Sequence, residues 1–389
     1  MTIISFNFGK TNHKLMRKII SILAAVSLMA GTAFAQEQAN ISRRQRIVSP
    51  EIADGKITFR LDADYATQVL LTGNWLDYQP IPMKKEAGIW SVTIDLLEPE
   101  FYDYSFIVDG VSINDPANYM IFRDGTKYLS ILMVPGELTA NYYEASHRGT
   151  VSYKWYDSRI LGTNRRMAVY TPYGYEDAKN KRVKYPVLYL LHGAGLDEEA
   201  WTSFGRAAQI LDNLIEQGKA KPMIVVMPNG NANQQAACVL GIPNTQFDQR
   251  APGNENAYVR SLCEEIVPFI DKSYRTIAKP ESRAIAGLSM GGGHTITASS
   301  LYPALFDYVC PLSAAGSATD AQVQGLKKAG VKLYFLACGT SDFLYEQSKT
   351  LDATLTRNGL NHTFFESEGG HSWTNWRIYL NNFAPLLFK

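Results

Sequence analysis

Ser289 sits in Gly287-Leu288-Ser289-Met290-Gly291, at the end of a short apolar run and ahead of small, helix-compatible residues. A serine between glycines two places before and two places after suits a sharp strand-to-helix turn, where any side chain at the flanking positions would collide across the bend. Such a turn lifts the hydroxyl above a sheet edge and points the Met290 N–H, at the helix start, toward developing negative charge. The chemistry is nucleophilic attack on an acyl carbon, and it needs a base and an acid to orient that base.

The chain has six histidines, and position narrows them to one. His13 and His147 fall in leader and linker, and His192 precedes the nucleophile. His294 is too close to Ser289 on the same helix to fold back on it, and His362 begins a strand. His371 follows the final strand pattern, between Gly369-Gly370 and Ser372-Trp373, where a general base hangs over the sheet edge. Asp342, in Gly339-Thr340-Ser341-Asp342, closes the preceding strand and is the orienting acid, with a helix N-cap as its other reading; Asp320 and Asp352 are the alternatives. The second oxyanion donor is expected from Leu191-His192-Gly193-Ala194-Gly195, whose small residues let Gly193 and Ala194 N–H groups approach a tetrahedral oxygen, with His192 bracing the loop.

These residues need a scaffold. Apolar strand patterns at 166–170, 187–191, 224–227, 284–286, 308–312, 333–337 and 363–366 alternate with helical ones such as 207–217, 258–273 and 348–358. That alternation predicts a mainly parallel sheet covered on both faces, and with the serine turn it predicts an α/β-hydrolase over residues 150–389. Ahead of it, residues 41–135 read as all-β: short alternating strands near 57–61, 68–72, 90–94, 102–108 and 128–132, with a hairpin at Asp109-Gly110, predict an immunoglobulin-like sandwich. Residues 136–149 read as a linker.

At 389 residues and 46% hydrophobic, the chain can bury two cores. A net charge of +1 gives no reason to expect nucleic acid or an anionic membrane as partner. Lys14, Arg17 and Lys18, an apolar run from Ile19 to Ala30, and Ala33-Phe34-Ala35 read as a secretory signal peptide over residues 1–35, with Met16 as an alternative start. The apolar run is too short to span a bilayer, and Gln36 offers no lipid attachment, so export to the periplasm or medium is expected. Four cysteines lack metal-ligand spacing; Cys310 and Cys338 read as buried thiols, and a Cys238–Cys263 pair is left open.

The four motifs around His192-Gly193, Ser289, Asp342 and His371, in this order, resemble carbohydrate esterase family 1, which holds bacterial feruloyl esterases. Ala194 stands where that family often has glycine. Leu71-Thr72-Gly73-Asn74-Trp75, Gly88-Ile89-Trp90, Phe106-Ile107-Val108-Asp109-Gly110 and Asn114-Asp115-Pro116 resemble an early-set sandwich, carbohydrate-binding module family 48. Together the resemblances imply an exported serine esterase releasing ferulate or p-coumarate from feruloylated arabinoxylan or xylo-oligosaccharide, with no cofactor or metal required. Acetylxylan esterase, enterochelin-type siderophore esterase and a non-catalytic glycan-binding protein are the alternatives. A siderophore is strongly anionic, whereas the expected pocket rim offers as basic groups only Arg250, within the polar segment 229–256, and Arg260 just beyond it. Trp201, Asn229 and Trp373 are candidates to touch substrate, Trp376 reads equally as helix packing, and Trp75 is the best candidate for an exposed sugar platform.

Overall fold

In a computed structural model, residues 47–124, 127–233, 247–248 and 251–389 are described. The leader reading of residues 1–35, Cys238, Arg250 and most of the expected rim lie outside them. Residues Val48–Lys389 form one compact unit. Among the described residues no helix is long and apolar enough to cross a membrane.

The N-terminal part is two antiparallel sheets face to face. One has the order β1 (Glu51–Ala53), β2 (Lys56–Asp62), β6 (Ile89–Asp95), β5 (Lys84–Glu86). The other runs β4 (Ile81–Pro82), β3 (Val69–Gly73), β7 (Phe101–Val108), β10 (Lys127–Met133), β9 (Ile121–Asp124), with β8 (Val111–Ile113) on β7. Alternate residues Ile57, Phe59, Leu61, Tyr104 and Phe106 point inward and form its core, as period-2 patterning requires. The β7–β8 hairpin turns at Asp109 and Gly110, both at positive φ. Trp75, read as an exposed platform, is half-buried. It stacks on Phe59 at 5.7 Å and meets Tyr102 edge-on at 5.8 Å, because the turn after β3 folds the indole back over the core.

The larger part is an eight-stranded sheet, β11 (Thr150–Ser158), β12 (Thr163–Thr171), β14 (Ile224–Pro228), β13 (Val187–Leu191), β15 (Arg283–Leu288), β16 (Tyr308–Leu312), β17 (Leu333–Gly339), β18 (Thr363–Ser367). From β14 to β18 all neighbours are parallel, and β11, β12 and β14 pair antiparallel. Helices α1 (Ala207–Glu216), α2 (Ala257–Ser261), α3 (Val267–Ser273), α4 (Met290–Leu301), α5 (Asp320–Ala329), α6 (Tyr345–Arg357) and α7 (Trp373–Phe383) flank the sheet. Strands β13, β14 and β15 are buried along their whole length because both faces of the sheet are covered.

Sandwich and sheet share a core. Phe101, Phe122, Ile131 and Tyr142 pack in one cluster with Trp201, Phe204, Trp376 and Tyr379. Arg377 of α7, fully buried, donates to Glu100 Oε1 at 2.7 Å, Phe101 O at 3.0 Å and Phe204 O at 2.9 Å. An Arg123–Asp197 ion pair also crosses from one part to the other. The stretch 136–149 is fastened as well: Tyr142 is buried, Arg206 donates to its carbonyl at 2.9 Å, and Asp212 accepts from Gly149 N–H at 2.8 Å.

Candidate active site

β15 delivers Ser289 in a conformation few L-residues adopt, φ 54° and ψ −115°. The turn is as tight as the glycine spacing predicts. A Cβ on Gly287 would lie 2.4 Å from Gly291 O, and one on Gly291 would lie 2.5 Å from His192 O. The strained serine is held by its own backbone, with N–H on Leu312 O at 2.9 Å and its carbonyl accepting from Gly293 and Ala315, both at 3.0 Å.

His371 and Asp342 meet from two different loops. His371 Nδ1 lies 3.0 and 2.9 Å from the two carboxyl oxygens of Asp342. An ionised carboxylate only accepts, so Nδ1 donates and Nε2 is left as the basic atom. Burial pushes the Asp342 carboxyl up, but the hydrogen bond from His371 and the Leu344 N–H outweigh it, and the net shift is below the ordinary value. The Leu344 N–H donates to Oδ1 at 2.9 Å, so Asp342 also supports the turn that follows, but it is not the helix N-cap of its other reading: that position, ahead of α6, is Leu344. The His371 ring is held by Phe343 at 4.5 Å and, edge-on, by Trp376 at 5.0 Å. Asp320 instead takes Arg357 and Asn358, and Asp352 takes His362 at 2.8 Å.

The loop after β13 passes against the serine because Gly193 has no side chain: a Cβ there would fall 2.6 Å from Leu288 Cδ1 and 3.3 Å from Ser289 Cβ. His192 Nδ1 donates to Gly193 O at 2.7 Å while its Nε2 accepts the Gly230 N–H at 2.7 Å. Those roles require a neutral ring, and burial holds its pKa down to about 4. With the Gly193 carbonyl tied to this ring, the N–H of the same peptide, Ala194, points the opposite way. Ala194 lines the cleft with Ser289 and His371. Among the described residues neither Ala194 nor Met290 N–H has a backbone acceptor. His294 is half-buried against the Tyr258 ring at 4.7 Å, and desolvation holds its pKa down to about 4.

The cleft is about 460 Å³. Leu288, Phe204, Trp373 and Trp376 form its apolar wall, and Phe122 of the sandwich, stacked on Phe204 at 4.1 Å, continues it. Trp373 is among the residues that line the cleft. Trp201 is not: it is 1% exposed, its indole N–H donates to Leu191 O at 3.0 Å, and it supports Trp373 edge-on at 5.2 Å. Asn229 is likewise withdrawn, 1% exposed with Nδ2 on Glu198 Oε2 at 3.0 Å, because it serves the Arg166–Glu198 pair beneath the loop. The sequence reading missed the opposite wall, in which Asn74, Asp77, Tyr78, Asp103 and Asp124 come from the sandwich. No local pattern marks them, since only the shared core brings them to the serine. Among the described residues, Cys263, Cys310 and Cys338 are buried free thiols.

The esterase family model matches residues 158–386. An endo-1,4-beta-xylanase/feruloyl esterase of Xylanibacter ruminicola is 32% identical over 344 residues, covering 87% of this chain and 45% of its own length. The chain therefore spans less than half of that relative. A ferulic acid esterase of Anaeromyces mucronatus, solved in complex with ferulic acid, is 25% identical with a TM-score of 0.54, covering 63% of this chain and 93% of its own. The enterobactin esterase of Shigella flexneri, at 18% identity, matches with a TM-score of 0.61 over 85% of this chain and 92% of its own, a likeness of fold.

Proposed function

This chain belongs to the esterase family and is a carboxylic ester hydrolase, and on that footing we propose that it is an exported feruloyl esterase, cleaving hydroxycinnamoyl esters of arabinoxylan through Ser289, His371 and Asp342. The observation that carries the reading is the apolar wall of Leu288 and the aromatic rings of Phe204, Phe122, Trp373 and Trp376 beside Ser289, which suits a planar aryl acyl group better than an acetyl. The relatives named for feruloyl and ferulic acid esterase activity support the same acyl class.

The reaction runs in two steps. His371 Nε2 takes the Ser289 proton as Oγ attacks the ester carbonyl, and Ala194 and Met290 N–H groups receive the oxyanion. The protonated His371 then gives its proton to the departing alkoxide, and the acyl group stays on Oγ. Water, deprotonated by His371, attacks the acyl-enzyme, and collapse returns the proton to Ser289 and frees the carboxylate. Asp342 holds the ring in the tautomer that each transfer needs and stabilises its cationic form.

The test is kcat/KM on methyl ferulate, acetylated xylan and a catecholate trilactone side by side. Preference for methyl ferulate by roughly 10–200-fold or more is the expected result. Preference for acetylated xylan moves the chain to acetyl-ester hydrolysis, and preference for the trilactone moves it to siderophore release.

A further inference from the structure

The sandwich wall of the cleft has a chemistry of its own. Asp77 and Tyr78 follow the single turn Asn74–Leu76, and Asp103 stands on β7 and Asp124 on β9. Asp77 and Tyr78 are consecutive non-glycine residues at positive φ, 49° and 58°, a conformation that proteins hold where a loop has to present particular side chains. Asp103 is 4% exposed; the Tyr78 hydroxyl donates to its Oδ1 at 3.0 Å, and its N–H rests on Asn74 Oδ1 at 3.3 Å. Among the described residues its Oδ2 has no hydrogen-bond partner, and Asp77 and Asp124 have no ion-pair partner. Against these three carboxyls the lining holds one guanidinium, Arg377, already committed to Glu100 and two carbonyls, and the imidazole of His371. Burial raises the Asp103 carboxyl to about 6, with Asp124 adding to the effect and Tyr78 and Arg377 opposing it.

The two halves of an ester have different needs. The acyl group ends in the cleft and is best enclosed by apolar walls, whereas an alcohol that belongs to a polymer has to leave through the open side. Asp77, Tyr78 and Asp124 are exposed and stand at that side, and the aromatic side chains lie deeper. Carboxylates accept hydrogen bonds from sugar hydroxyls strongly and oppose any anion brought close to them, and the Tyr78 phenol, its proton given to Asp103, adds a neutral acceptor.

We propose that Asp103, Tyr78 and Asp77 form the subsite for the leaving alcohol, taking a neutral, hydroxyl-rich glycosyl group and excluding anionic ones. The proposal rests on the reading of this cleft as that of a sugar-ester hydrolase, and it assigns specificity for the alcohol to the domain that carries none of the reacting groups. The sandwich then acts on single turnovers at Ser289, whatever else it binds.

The experiment uses the full chain and compares kcat/KM for a neutral feruloylated arabinosyl-xylotriose with that for methyl ferulate, whose alcohol has no hydroxyl to offer beyond the ester oxygen. In Asp103→Asn and in Tyr78→Phe the ratio of the two should fall about tenfold or more, chiefly through KM for the oligosaccharide, since a hydrogen bond to a charged group is lost. A feruloyl ester of a uronate-bearing alcohol should be a poor wild-type substrate and improve several-fold in Asp103→Asn. Equal losses on the oligosaccharide and methyl ferulate in both variants would show a structural role and overturn the proposal. So would a larger loss on methyl ferulate than on methyl cinnamate, because the wall would then be reading the acyl phenol. If acetylated sugar is preferred over every feruloyl ester, the acyl assignment fails, and the subsite still stands if Asp103→Asn raises KM for that neutral sugar ester. Wild-type preference for the anionic trilactone overturns both.

Discussion

Replacing Arg377 by methionine should destabilise the whole molecule. The guanidinium is fully buried, supplies three hydrogen bonds at 2.7–3.0 Å, and lies over the rings of Phe101, Phe204 and Tyr142 at 4.9–5.4 Å. Methionine keeps much of the volume but leaves the Glu100 carboxylate, itself 5% exposed, with only the Phe101 N–H on Oε1 and nothing on Oε2. Breaking one side of a buried pair costs about 3–5 kcal/mol, because the remaining charge is uncompensated. At about 2 °C per kcal/mol for a body of this size, Tm should fall by roughly 6–10 °C. The double variant Glu100→Gln/Arg377→Met removes both charges and should be less destabilised than the two single changes added together, by about 1–3 kcal/mol. Thermal and urea unfolding followed by near-UV and far-UV signals should give one coincident transition in every variant. An Arg377→Met protein within 1 kcal/mol of wild type, additive effects in the double variant, or a sandwich that melts separately would refute the reasoning.

Ser289→Ala should lose about 10⁴-fold or more in kcat with the fold intact by circular dichroism, Asp342→Asn should be severely impaired, and Asp320→Asn should match wild type; the reverse order of the two aspartates would move the acid. Gly291→Ala places a Cβ 2.5 Å from backbone at His192 and should yield little folded protein, read as soluble expression and Tm. The Asp103 carboxyl is raised from 3.8 to about 6 by burial, so the native state binds more protons than the unfolded one between those values and stability falls as pH rises through that window. Asp103→Asn should therefore be more stable than wild type at pH 7 by on the order of 3 kcal/mol and nearly equal to it at pH 4. A gain of the same size at both pH values would contradict the assignment.

The placement of the three residues proposed to react was legible because each is tied to a local constraint. The serine turn demands glycines at fixed spacing, and the acid and histidine must follow β17 and β18 in that order. The strands were legible from apolar runs and alternation, whose periods survive any packing. Burial at the level of single aromatic and amide side chains was not. Trp201 and Trp373 both stand beside a catalytic loop, yet the first holds up the second, and nothing in their neighbours distinguishes the two. Trp75 follows a Gly-Asn pair that reads as an exposed turn, and the turn instead returns the ring to the core. The acidic wall was invisible for a further reason: residues near 75, 103 and 124 reach Ser289 only through the packing of Phe101, Phe122 and Tyr142 against α1 and α7, and sequence periodicity carries no record of contacts so distant along the chain.

The fastening of residues 136–149 bears on how this architecture can be rearranged. Their composition suggests a hinge, and a chimaera designed on composition would be joined there, with a foreign module in place of the sandwich. Such a graft would discard Glu100, Phe101 and Phe122 and strip the cover from Phe204 and Arg377, so the recipient would lose a face of its interior along with its appendage. The transferable cassette begins near Val48, and in fusions to other catalytic or binding modules the two halves should be exchanged together.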